Sequence, residues 1–200
     1  MTRWVFYYGY INREVAVIIG HTLMRKGVTH IKKWETFVSE FYEMISNNER
    51  QVYQPIIEYL VELGYTPLRK RTKGFILSFS NLAHNRVIAR FGVRNDADQA
   101  FFGLRFSSCN EYSDKFADVI RDRILSSNNR LAKCAECRYC KGSKFVYSYT
   151  FPDGESKAAC GAFVLEIPSI SMDDLDEIKA LIKEQHDYFM KHALYTLPSH

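Results

Sequence analysis

Residues 75–106 read FILSFSNLAHNRVIARFGVRNDADQAFFGLRF, and this stretch decides the fold. Apolar side chains fall at every second position in three runs: Phe75, Leu77 and Phe79; then Val87, Ala89, Phe91 and Val93; then Phe102, Leu104 and Phe106. A period of two belongs to a strand with one buried and one solvated face. The runs are separated by Asn81 to Asn85 and by Asn95 to Gln99, both rich in turn-forming residues. The pattern predicts an antiparallel meander.

Working outward, two helices are expected before the meander. Trp34, Phe37, Val38, Phe41 and Ile45 recur at helical spacing and stop at Ser46-Asn47-Asn48. A second stripe, Val52, Ile56, Leu60 and Leu63, follows at once. Asn48 and Gln51 have the spacing of a capping box, and Gly64 stands where a left-handed C-cap belongs. Pro55 lies inside this pattern, so the helix is kinked there or begins there.

After the meander, Tyr112, Phe116, Val119, Ile120 and Ile124 predict a helix over residues 111–126. Phe145 to Thr150 and Cys160 to Ile167 flank Pro152-Asp153-Gly154, a turn signal for a hairpin. Ser171 caps a last helix with Asp173, Asp174 and Asp176 near its positive end and Leu175, Ile178, Ile182 and Phe189 on its buried stripe. The expected fold class is α+β: an antiparallel β-meander with flanking helices, a cysteine knuckle loop and a C-terminal ββα segment. One domain over 31–200 is expected, with ααβββα over 31–130, the cysteine loop over 131–144 and ββα over 145–193. An aromatic, apolar extension over 1–30 precedes it.

The strand and helix Phe163-Val164-Leu165-Glu166-Ile167 and Leu175-Asp176-Glu177-Ile178-Lys179-Ala180-Leu181-Ile182, placed after a meander and a helix, resemble the layout of small bacterial α+β domains of the YdhG/YjbR type. The resemblance spans residues 50–190 and rests on element order. It implies an α+β fold and carries over no catalytic residue.

Composition narrows the class. The chain has 200 residues, 46% hydrophobic and 25% charged, which suits a globular domain with a real core and argues against disorder. Arg13-Glu14 interrupts the apolar stretch from Trp4 to Gly20, so neither half approaches the ~20 residues a bilayer requires. No membrane partner is expected. The net charge of +4 is uneven: residues 1–133 hold 20 basic and 13 acidic side chains, and residues 134–200 hold 7 and 10. An anionic partner should meet the front of the chain. The odd number of cysteines, five, and the absence of an evident cleavable signal predict a reducing, cytoplasmic compartment.

Three of those cysteines, Cys134, Cys137 and Cys140, share one short run, and Cys160 follows. Thiolates two residues apart can both turn inward around a tight knuckle, and zinc takes four ligands tetrahedrally at about 2.3 Å. The expectation is a structural zinc site at Cys134, Cys137, Cys140 and Cys160. The alternative is redox or metal-sensing chemistry at Cys137 and Cys140, since the same spacing with a flanking positive charge activates a thiol. An iron-sulfur cluster fits less well, because the ferredoxin run needs a further cysteine where Lys144 stands. Cys109 is expected to be a small buried residue.

Strand alternation that points Val87, Ala89, Phe91 and Val93 inward places Arg86, Arg90 and Arg94 on the opposite face, with Arg105 joining them from the third run. That face is a candidate site for an anionic ligand or a single-stranded nucleic acid, with Phe101 for stacking. Otherwise it is a solvated face, or one paired with acidic residues. His84, His186 and the other histidines are expected to be surface or satisfied core residues, with His186 a substitute zinc ligand. No phosphate loop, catalytic triad or zinc-protease motif occurs, so catalysis is not required. The expected function is a metal-braced binding module for an anion. A small-molecule-binding domain using Tyr139, Tyr147 and Tyr149 is a further alternative.

Overall fold

The computed structural model describes residues 34–70, 72, 74–94, 100–126 and 146–193. Helix α1 is present over 34–43, and α2 runs Asn47–Glu62. Strands β1 (Thr66–Arg69), β2 (Phe75–Asn81), β3 (Arg86–Val93) and β4 (Ala100–Leu104) follow, then α3 (Asp114–Ser126). The chain continues with β5 (Val146–Thr150), β6 (Ser156–Cys160), β7 (Leu165–Ile167), a single 3-10 turn at Met172–Asp174 and α4 (Leu175–Ala193). An antiparallel sheet in the order β1-β2-β3-β4-β7 carries the meander, and β5 and β6 pair separately. The fold is α+β, as the periodicities predict.

One face of the sheet builds the core. Phe75, Leu77, Phe79, Phe91, Phe102 and Leu104 are all buried to 3% exposure or less. Phe41 of α1 stacks on Phe75 at 6.2 Å, and Tyr53 of α2 meets Phe91 edge-on at 5.7 Å. Each such side chain contributes about 1.5–3 kcal/mol by leaving water, which is why the α1 and α2 stripes align over the strands. Phe106 lies beyond β4 and packs edge-on against Phe116 and Tyr147 at 5.5 and 5.1 Å, forming a second cluster beneath α3 and the β5–β6 hairpin.

Local details differ from the sequence expectations. The cap of α2 is Ser46 with Glu49 in a reciprocal box, not Asn48 with Gln51. Pro55 sits inside the continuous helix. Gly64 does end α2 at φ +82, and Gly64 and Tyr65 donate to the carbonyls of Val61 and Leu60 at 2.9 Å each, the Schellman pattern. Strand β1, which holds a proline and little alternation, was not legible.

The expected second hairpin strand over Cys160 to Ile167 is two elements. Residues Ser156–Cys160 pair with β5, whereas Leu165–Ile167 crosses to the main sheet beside β4. Gly161 and the residues up to Val164 make the turn between them. Leu165 and Ile167 sit opposite Leu104 and Phe102 and are nearly fully buried, so the main core takes the apolar half of that run.

Candidate functional site

A bulge in β3 shapes a buried polar region among the described residues. Phe79 pairs with Ala89, but the next residue, Ser80, pairs with Val87, leaving Ile88 as an extra residue. Beyond the bulge the alternation is inverted: Val87 turns to the face of Ser78 and Ser80, and Arg86 turns to the helix-covered face. There its guanidinium lies 5.3 Å from the ring centroid of Phe189 in α4. Arg105 follows the last paired residue of β4, and its backbone N–H donates to the carbonyl of Ile88 at 2.7 Å. Its guanidinium lies 4.8 Å from the same Phe189 ring, and the residue is 7% exposed. Cation–ring contact at this range is favourable by about 0.5–2 kcal/mol.

Three further side chains border the pair. The β2–β3 loop is closed by Asn81, whose Oδ1 accepts from Ala83 N and whose carbonyl accepts from Asn85 N, each at 2.8 Å. With Asn85 at φ +50, the loop leaves Leu82 95% exposed and turns His84 inward. His84 lies 4.8 Å from Phe189, ring to ring. Tyr65, delivered by the α2 terminus, has its Oη 3.3 Å from His84 Nε2 and 3.3 Å from His186 Nδ1 of α4. Burial pushes the His84 pKa down to about 4, and the charges of Arg86, His186 and Arg105 all push it the same way. The local field is therefore positive. Burial also lowers His186, with Asp187 opposing and Lys183 adding to the shift. Tyr65 is raised by burial, against the pull of Arg105.

The expectation that Arg86, Arg90, Arg94 and Arg105 share one sheet face is corrected by this geometry. The bulge and the end of β4 send Arg86 and Arg105 to Phe189. Arg90 remains exposed on the outer face, opposite Gly103, and Arg94 pairs with Glu166 across that face. Arg94 also lies 5.1 Å above Phe101, whose ring covers Gly92 so closely that a Cβ there would meet it at 2.6 Å. The outer face thus holds a short ladder of mixed charge.

Cys134, Cys137 and Cys140 lie outside the described residues. Cys160 is a free, half-buried thiol at the end of β6, directly opposite Val146. No group of three or more metal-ligating side chains occurs among the described residues. Cys109 donates to the carbonyl of Leu181 at 3.4 Å, and burial, with Glu184 beside it, drives its thiol far up, away from the reactive thiolate. His186 is engaged with Tyr65. Of the aromatic set, Tyr139 is outside the described residues, and Tyr149 packs on Phe151 at 5.0 Å. Tyr147 is committed to structure: its Oη accepts from Phe106 N at 3.2 Å and donates to the carbonyl of Phe163 at 2.9 Å. An open groove of about 560 Å³ between α3 and β7 is lined by Val119, Arg123, Phe163, Val164, Glu166 and Pro168.

The sequence reading missed the meeting of Tyr65, His84 and His186, and the burial of the neighbouring Gln185. Gln185 gives the one usable signal, a polar residue on the apolar stripe between Ile182 and Phe189, and it is 0% exposed. The others sit at a helix end, in a turn and on a helix, and share no sequence pattern.

No family model, curated protein or solved structure matches the chain. No helix among the described residues is long and apolar enough to cross a membrane.

Proposed function

We propose that the protein is a binding module for an anionic ligand, with the anion held where Arg86 and Arg105 converge. The observation that carries this reading is the placement of two guanidiniums on one buried ring, beside a histidine whose charged neighbours all depress it. Arginine forks suit carboxylate, phosphate or sulfate oxygens. Buried as it is, the cluster suits a compact anion more than a polynucleotide backbone. A nucleic-acid strand would instead use the outer face, where Glu166 offsets Arg94.

Calorimetric titration with sulfate and with a single-stranded oligonucleotide tests the reading. Arg105→Gln should weaken sulfate binding at least tenfold, and the pair Arg90→Ala and Arg94→Ala should leave it unchanged. Oligonucleotide binding lost in the outer-face pair, with no sulfate binding in the wild type, would transfer the function to the nucleic-acid interface.

A second reading, compatible with the first, is that a structural zinc braces the C-terminal hairpin through Cys134, Cys137, Cys140 and Cys160. What favours it is the register Val146 to Cys160: the fourth thiol stands opposite the first residue of β5, which follows Cys140 by six positions in the sequence. Elemental analysis of protein purified without added metal tests it, with one zinc per chain expected. Metal-free protein in which Cys137 and Cys140 react readily with a thiol reagent would favour the redox alternative.

A further inference from the structure

The turn between β2 and β3 rests on the body of the protein through one side chain. Leu82, Ala83 and Asn85 are exposed, and of residues 82–85 only His84 is buried. The hydrogen bonds from Ala83 N and Asn85 N end on Asn81, within the turn itself. At the base, Asn81 Nδ2 donates to the carbonyl of Leu63 at 3.1 Å, so the start of the turn is tied to the end of α2. The tip is held by the His84 ring, which lies 4.8 Å from Phe189 of α4 and 5.6 Å from Tyr65.

This anchor admits only the neutral ring. The backbone N–H of Arg86 donates to His84 Nδ1 at 3.2 Å, and a backbone N–H can only donate, so Nδ1 must keep its lone pair. An imidazolium has a hydrogen on both nitrogens and loses this bond, whichever way the Tyr65 hydroxyl turns. The groups facing His84 are Tyr65 from the end of α2, Arg86 of β3, Arg105 after β4 and His186 of α4, and the last three oppose a charge on it. Lys183 and Asp187 of α4 act on His186, and Asp187 also on Tyr65. Outside, water would solvate both the charge and the new Nδ1–H.

We infer that the β2–β3 turn is an acid-released strap: the neutral His84 ring pins residues 82–85 against Phe189 and Tyr65, and the charged ring swings out with the turn while the sheet and helices stay folded. The inference is independent of the anion reading. The β3 bulge confines the motion, because only the pairs Ser80–Val87 and Asn81–Arg86 lie between it and the turn. Leu82, 95% exposed, gives up no buried surface as the turn moves, and Asn85 at φ +50 is a pivot of the residue type that tolerates this region. Release uncovers the Phe189 ring and the Tyr65 hydroxyl.

Amide hydrogen exchange of the full chain at pH 7, 6 and 5, corrected for intrinsic rates, is the test. With the ring at about 4 in the closed turn and near 6.5 in the open one, protection of the Asn85 and Arg86 amides should fall about twentyfold from pH 7 to pH 5. Phe91, mid-strand between β2 and β4, should exchange more slowly than either at every pH. One common rate for Arg86 and Phe91 would mean that only the whole domain opens, and would overturn the inference. So would protection at Asn85 and Arg86 that ignores pH, or ring ¹⁵N signals showing His84 charged while both amides stay protected. His84→Gln keeps an acceptor and carries no titrating group, so it should abolish the pH response; a response that persists there belongs to another group and refutes the strap. If that variant does not fold, the wild-type exchange rates and ring titration decide.

Discussion

The backbone N–H of Arg105 donates to the carbonyl of Ile88 at 2.7 Å, tying the residue that follows β4 to the extra residue of the β3 bulge. The guanidiniums of both Arg105 and Arg86 lie against the Phe189 ring. Without the bulge, Arg86 would follow Arg90 onto the outer face, and the two guanidiniums would lie on opposite sides of the sheet.

Phe189 is the platform for both arginines and is fully buried. Phe189→Ala should destabilise the fold by about 3 kcal/mol, because a ring-sized cavity is left in a packed site. Phe189→Leu should recover most of that loss in urea unfolding while anion binding stays weakened, since the ring face is gone. Full binding in the leucine variant would remove the cation–ring contact from the account.

His84 should make stability depend on pH. Its folded pKa is near 4 and that of the unfolded chain is near 6.5, so the unfolded state takes up the proton first as the solution is acidified. The contribution is complete above about pH 6.5 and is lost as pH falls toward 4, on the order of 2 kcal/mol once solvent screening is allowed for. Urea midpoints measured between pH 7 and pH 4.5 should fall in the wild type. The His84→Gln variant should show a shallower slope.

Gly64 holds φ +82, a region in which a Cβ crowds the backbone, and a Cβ built there would stand 3.2 Å from Asn81 Nδ2. Gly64→Ala should therefore cost about 1–2 kcal/mol, and Gly64→Asn less. The check is a shift of the urea midpoint at constant slope. An alanine variant as stable as the wild type would show that the α2 terminus does not need the left-handed residue to deliver Tyr65.

Cys137→Ser and Cys109→Ser separate the two kinds of cysteine. If zinc braces the hairpin, losing Cys137 should lower the melting temperature by much more than losing Cys109, because metal-binding energy is also folding energy. A chelator should lower the wild-type melting temperature toward that of Cys137→Ser. Indistinguishable melting curves for both variants, with and without chelator, would exclude a structural metal.

The meander, the helices and most of the core were determined by the sequence alone, because alternation in Phe75–Phe79 and Val87–Val93 and the 3.6-residue stripes of α2, α3 and α4 are local signals that burial rewards directly. Gly64 as a C-cap was equally local. The site was decided by tertiary structure. A single extra residue at Ile88 inverts every side chain beyond it, and nothing in the alternation of Arg86 to Arg94 announces that inversion, because the bulge is set by the pairing of β2 with β3. Likewise, the run after Cys160 divides between a hairpin and the main sheet because Leu165 and Ile167 find a deeper apolar surface against Leu104 and Phe102. Tyr65, His84 and His186 meet across up to 121 positions of sequence separation, and only the packing of α4 over the strands gives that distance a value of 3.3 Å.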